Sequence, residues 1–208
     1  MSLLYFRSNL TSAYAPTAGS KSVALPNGTD RSVTTNDSDA LSVTQGPANA
    51  LQSITTAAQT ARQSGRFGRL TSERLNTQSW TADTWSVNPG LRRESNTNAN
   101  AFLALSVYIW RPSTLSRVGF IYDASTQLGA EWPALNAAAS TYTISGSAIS
   151  ITAGDVLVVE LWYTSAQAMA TSYTAELSWG LNGFIESPNN TFAFYTPPRE
   201  RTFGSIIY

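Results

Sequence analysis

The chain has 208 residues and a mass of 22.4 kDa, with thirteen basic and thirteen acidic side chains, a single lysine (Lys21), no histidine and no cysteine. Balanced charge removes the long-range field that would draw nucleic acid or an acidic membrane surface. Without His or Cys, a Ser-His-Asp triad, a Cys-His pair, a disulfide and zinc sites of the usual ligand types are excluded.

Charged residues make up 12% of the chain, roughly half the usual share of about 25%, which predicts a surface that is neutral or covered by partners. Aromatics reach 11% and Ser plus Thr a quarter, and such residues suit pleated surfaces more than helices. Twelve of the thirteen bases are Arg, whose planar guanidinium tolerates burial at interfaces better than a lysine ammonium.

Residues 1–50 read as an extended N-terminal arm. It opens with the apolar patch Leu3-Leu4-Tyr5-Phe6 and continues in Ser, Thr, Asn, Gly and Pro without helical periodicity. That opening lacks the charged start and the apolar run of about 7 to 15 residues of a secretion signal, and no segment approaches the ~18 apolar residues of a membrane helix. A soluble chain made in a cytoplasm is expected. Asn36-Asp37-Ser38-Asp39 lacks the Gly and distal Glu of a calcium loop and reads as a polar turn. Ala18 to Ser22 lacks the spacing of a phosphate loop.

Residues 51–195 read as one β-sandwich domain. Between Asn49 and Arg62, Ala, Gln and Leu favour a short helix while Ile54, Thr55 and Thr56 favour strand; strand or irregular structure is expected. Short strand-like runs recur from Arg66, one of them closed by Asn88-Pro89-Gly90. Ala101 to Trp110 is apolar on both parities, so both of its faces must be covered. A neighbouring strand follows at Arg117 to Ala124, then runs at Tyr142, at Asp155 to Tyr163 and at Thr171 to Gly180, the last alternating wet and dry. About eight turn-separated strands predict an all-β jelly-roll sandwich. Residues 196–208 read as a short C-terminal arm with an apolar end, Phe203, Ile206, Ile207 and Tyr208.

The blocks ESNTNANAFLALSVYIWRP (94–112), GFIYDA (119–124), LGAEWP (128–133) and AGDVLVVELWYT (153–164), with LYFRS (4–8) and SKSVALPNGT (20–29), together resemble proteins encoded among the structural genes of tailed bacteriophages. The resemblance implies a non-enzymatic virion component of jelly-roll type, such as a capsid decoration or cement protein on the outer surface of the head. It further implies a homotrimer that reaches the major capsid protein through its termini. No catalytic motif, cofactor or metal site comes with it, and neither nucleic acid nor membrane is an expected partner.

Several side chains are candidate subunit contacts on this reading: Leu3, Leu4, Tyr5 and Phe6 of the first arm, Phe203, Ile206, Ile207 and Tyr208 of the last, and Arg66 and Arg69 paired with acids of a neighbour. Arg92-Arg93-Glu94 has the same ambiguity between interface and nucleic acid. The alternative is a tail, neck or head-fibre protein that binds host surface carbohydrate, with Trp80, Trp85 and Trp132, which lie near turns, as the glycan contacts. Trp110, Trp162 and Trp179 sit inside strand patterns and read as core. A glycosidase needs two carboxylates about 5 to 9.5 Å apart, for which Glu131, Glu160 and Glu176 are the candidates.

Overall fold

The computed structural model describes residues 2–16, 29–30, 39–47, 52–56, 63–95, 101–123, 128–165, 173–180 and 182–195. These residues contain strands and no helix. In chain order the strands are β1 (Ser2–Thr11), β2 (Thr29–Asp30), β3 (Asp39–Ser42), β4 (Gln52–Thr56), β5 (Gln63–Thr71), β6 (Gln78–Trp80), β7 (Asp83–Asn88) and β8 (Leu91–Glu94). They continue with β9 (Ala101–Arg111), β10 (Ser116–Tyr122), β11 (Tyr142–Gly146), β12 (Ile149–Ile151), β13 (Val156–Ser165), β14 (Tyr173–Ser178) and β15 (Phe184–Ser187).

The main sheet runs in the order β10-β9-β13-β5-β3-β1-β15-β7-β11, with β2 added on β5. Its two ends meet. Ser147 N, just past β11, donates to Ile121 O of β10 at 2.8 Å, and Ile149 lies against Gly119. The sheet therefore rolls on itself, and one apolar cluster fills the space between its two halves. That cluster takes Leu103, Leu105, Val107 and Ile109 from one half and Leu4, Phe6, Val87 and Ile185 from the other. A three-stranded sheet, β4-β14-β8, adds Ile54, Tyr173, Ala175 and Leu177, and the β12-β6 ribbon adds Ile151 and Trp80. The architecture is the all-β sandwich expected from composition, with its main layers drawn from one rolled sheet.

Alternation explains most of the burial. In β14, Tyr173, Ala175 and Leu177 are buried while Thr174 and Glu176 are half-exposed, as the period of two demands. The central strands β9 and β13 pair over ten positions, from Val156↔Trp110 to Ser165↔Ala101, and β13 is buried along its whole length. Their second face is covered too: Tyr108, Trp110, Val156 and Val158 form a separate apolar cluster on which Phe120 and Tyr14 pack.

The segment at 52–56 is strand, β4; Ile54 is its buried residue, so the β-branched run outweighs the helix formers around it. Asn88-Pro89-Gly90 is a turn in which Asn88 Oδ1 accepts from Gly90 N at 2.9 Å, and Gly90 takes φ 106°. A Cβ at Gly90 would stand 2.1 Å from Ser178 O, so the close approach as well as the dihedral requires glycine.

The boundary drawn at residue 50 is corrected. The described part of the expected N-terminal arm is mostly internal sheet: β1 lies between β3 and β15, with Leu4↔Ile185 and Phe6↔Leu41 as partners. Leu3-Leu4-Tyr5-Phe6 is one patch in sequence but two faces in space. Leu4 and Phe6 are fully buried in the core, each worth about 1.5 to 3 kcal/mol, while Leu3 and Tyr5 face outward and are half-buried. Residues 196–208, including Phe203, Ile206, Ile207 and Tyr208, lie outside the described residues, as do 17–28 and 36–38.

Candidate functional site

A cluster of buried charge sits on the second face of the main sheet. Glu160 of β13 is fully buried, and its Oε1 accepts from Arg69 Nε at 2.8 Å and from Tyr108 Oη at 3.1 Å. Arg66 Nη1 lies 3.6 Å from the same oxygen, and its guanidinium stacks over the Trp162 ring at 5.4 Å. Arg69 Nη1 also donates to Pro16 O at 2.9 Å, which ties the segment after β1 across this face. Arg74 stacks over the Tyr14 ring at 4.5 Å nearby.

A β-bulge makes this arrangement possible. Arg66 and Arg69 are three residues apart, a spacing that places them on opposite faces of a regular strand. Between Leu161↔Gly68 and Trp162↔Arg66 the register shifts, and Phe67 becomes the extra residue. The kink turns Phe67 into the core and returns Arg66 to the face of Glu160. Two guanidiniums thus balance the charge of one buried carboxylate. The expectation that Arg66 and Arg69 pair with a neighbour's acid is corrected: both are buried and spend their charge on Glu160 of their own chain.

A second carboxylate site lies where the loop after residue 128 docks on β8. Glu94 is buried, and its Oε2 accepts from Ala101 N at 2.8 Å. Burial, reinforced by the neighbouring Glu131 carboxylate, pushes its pKa up to about 7. Backbone bonds from Glu94 N to Pro133 O (3.0 Å) and from Leu135 N to Glu94 O (2.9 Å) hold the loop in place. The adjacent hollow, about 280 Å³, is bordered by Arg93, Ser95, Thr174 and Glu176. Glu176 there is ion-paired to Arg93 and accepts from Ser53 Oγ at 3.2 Å. The three acids picked as a glycosidase set are therefore dispersed: Glu160 sits with its arginines, Glu176 with Arg93, and Glu131 beside Glu94. Of Arg92-Arg93-Glu94, Arg92 is buried and stacks over the Tyr142 ring at 5.1 Å, Glu94 is buried, and the part-exposed Arg93 is ion-paired with Glu176.

Asp39, the last residue of the acidic run at 36–39, is a third unusual carboxylate. It is almost fully buried, accepts from Trp179 Nε1 at 3.1 Å, and burial raises its pKa to about 7. No group of three metal-ligating side chains occurs among the described residues.

The glycan contacts expected at Trp80, Trp85 and Trp132 are corrected as well, since all three are buried in the core. Trp80 packs edge-on against Trp85 at 5.6 Å and against Phe192 at 5.3 Å, and its Nε1 donates to Thr191 O. Trp132 stacks on Phe67 at 5.8 Å. Proximity to turns suggests a surface position in one dimension; in three, Phe192 packs on Trp80 and Trp85, and Phe67 on Trp132. Trp110, Trp162 and Trp179 are buried as their strand positions predict.

Neither a protein-family profile nor a curated protein matches the chain in sequence. Among solved structures it is similar to a CocE/NonD family hydrolase from Staphylococcus aureus, with 6% identity, a TM-score of 0.48, and coverage of 89% of this chain and 35% of that one. It is also similar to structures of infectious bursal disease virus, the Gx strain at 8% identity and TM-score 0.33 and the Gt strain at 14% and 0.26. These cover 73% of this chain and 35% and 36% of the viral chains, so it spans about a third of the length of each structure it matches.

Proposed function

We propose that this chain is a non-enzymatic structural protein of a tailed-phage virion, a decoration protein that binds the outer surface of the head as a homotrimer and bridges copies of the major capsid protein. The observation that carries the reading is how the chain uses its charge. The buried ionisable cluster Arg66-Glu160-Arg69 braces a central sheet that is covered on both faces, so the charge holds the framework still. The sparse remaining charge leaves a neutral surface suited to packing, and the resemblance of residues 94–112 and 153–164 to phage structural proteins points the same way. The C-terminal stretch 196–208, with Phe203, Ile206, Ile207 and Tyr208, is the contact element of this reading. Standard interfaces bury about 1,200 to 2,000 Å² and three-fold attachment adds avidity.

Purified chain mixed with phage heads that lack it tests the proposal. Saturable co-sedimentation at hundreds of copies per head, with raised resistance of the head to heat, is expected. No binding, or saturation at a dozen copies or fewer, refutes head decoration.

A further inference from the structure

The outward face of β1, β15 and β7 carries a hollow of about 280 Å³ that the proposed function leaves unused. Register builds its floor. Tyr5 pairs with Phe184 and Leu3 with Glu186 across β1 and β15, and Phe184 pairs with Asn88 across β15 and β7. The alternate residues Leu4, Ile185 and Val87 point into the core, so Leu3, Tyr5 and Phe184 are held as a half-buried aromatic and apolar platform on a rigid sheet.

Polar groups ring that platform. Asn88 comes from the end of β7, Glu186 from β15, Gln45 from the segment after β3, and Asn182 from the turn before β15. Each is fixed by its backbone. Arg7 Nη1 donates to Thr44 O and Gln45 O, Gly183 N donates to Trp179 O, and Phe6 N donates to Gly183 O. Asn88 Oδ1 is committed to Gly90 N, so this amide has its NH₂ group to offer a ligand. Among the described residues, the Tyr5 hydroxyl, the Asn182 amide and the Glu186 carboxylate make no hydrogen bond within the chain. This contrasts with Glu94, Glu160, Glu176 and Asp155, whose carboxylates are all engaged.

We propose that this hollow binds one neutral pyranose ring, the terminal hexose of a glycan. A hexose has an apolar C–H face that packs on aromatic rings and an equator of hydroxyls that amides and carboxylates bond. A bare hydrocarbon would leave the polar rim unanswered, and an anion would meet Glu186 with no cation among the lining residues. The volume lies just below the ~300 to 1,000 Å³ of clefts for drug-sized ligands, which suits a single ring. A ligand of that size in an open hollow binds with a millimolar Kd.

The test is an amide-resolved NMR titration of the full chain with the methyl glycosides of glucose, galactose and N-acetylglucosamine. At least one should give saturable shifts at Leu3, Tyr5, Phe184 and Glu186 with a millimolar Kd. Asn182→Ala, in a turn where folding is not at stake, should weaken binding roughly three- to tenfold, and Phe184→Ala should weaken it at least as much. No saturable shift with any of the three, shifts that map elsewhere, or unchanged affinity in a natively folded Asn182→Ala protein overturns the proposal. Head attachment is read separately, so the two proposals fail independently.

Discussion

Asp39 makes stability depend on pH in an unusual direction. Its pKa is raised from 3.8 to about 7 because burial disfavours the charged form and outweighs the hydrogen bond from Trp179, which favours it. Between these values the folded chain holds a proton that the unfolded chain has released, so stability falls as pH rises. The stabilising difference is fully present below the unfolded value and is lost as pH passes through the folded one. One such group contributes a slope of about 1.4 kcal/mol per pH unit, and the whole window amounts to about 4 kcal/mol. Asp39→Asn keeps an oxygen acceptor for Trp179 Nε1 and removes the titration. Urea unfolding followed by tryptophan fluorescence at intervals from about pH 4 to pH 8 should give near-equal stabilities at the acid end. The variant should become the more stable protein by a few kcal/mol at the alkaline end. Every other group contributes to both proteins alike, so the difference curve isolates this carboxylate. Parallel curves for the two proteins would refute the argument.

Other perturbations have equally specific outcomes. Glu94→Gln should flatten the same pH profile in the same sense, since the Glu94 pKa is also raised to about 7, and a thermal melt at mildly alkaline pH should show the variant above the parent. Glu160→Leu leaves Arg66 and Arg69 buried without their counter-charge and should cost about 3 to 5 kcal/mol in denaturant titration, much of it recovered when Arg66 and Arg69 are both replaced by Met. Gly90→Ala forces a Cβ against Ser178 O at positive φ and should cost about 3 kcal/mol or more by the same measurement. Removal of residues 1–10 takes out an internal strand and should abolish cooperative unfolding, whereas removal of 199–208 should leave the melt intact and lower head binding.

Local pattern carried a good deal of this fold. The runs at 101–110 and 155–163 became β9 and β13 because a continuous apolar, β-branched stretch is written in adjacent residues; 171–180 became β14 through its period of two, and Asn88-Pro89-Gly90 became a turn with a positive-φ glycine. What stayed hidden depends on partners remote in sequence. Nothing near Leu4 announces that Ile185 will lie across from it. Alternation divides Leu3-Leu4-Tyr5-Phe6 into a core pair, Leu4 and Phe6, and an outward pair, Leu3 and Tyr5. Arg66 and Arg69 reach one face only because of the bulge at Phe67, and a bulge has no reliable local signature. The hollow over Tyr5 and Phe184 draws on residues 3 to 5, 45, 88 and 182 to 186, and no spacing in one stretch of chain foreshadows it.

The position of β1 also sets a timetable for synthesis. β1, made before the other described strands, is flanked by β3 on one side and by β15, among the last described segments to be made, on the other. Until residue 187 emerges, the opening strand waits with one hydrogen-bonding edge open, and the roll cannot close. Pairing of Ser2–Tyr5 with Phe184–Ser187 is a highly non-local contact, and β topologies of that kind mature on the millisecond-to-second scale. A nascent chain stalled before β15 is thus the species most exposed to aggregation during production.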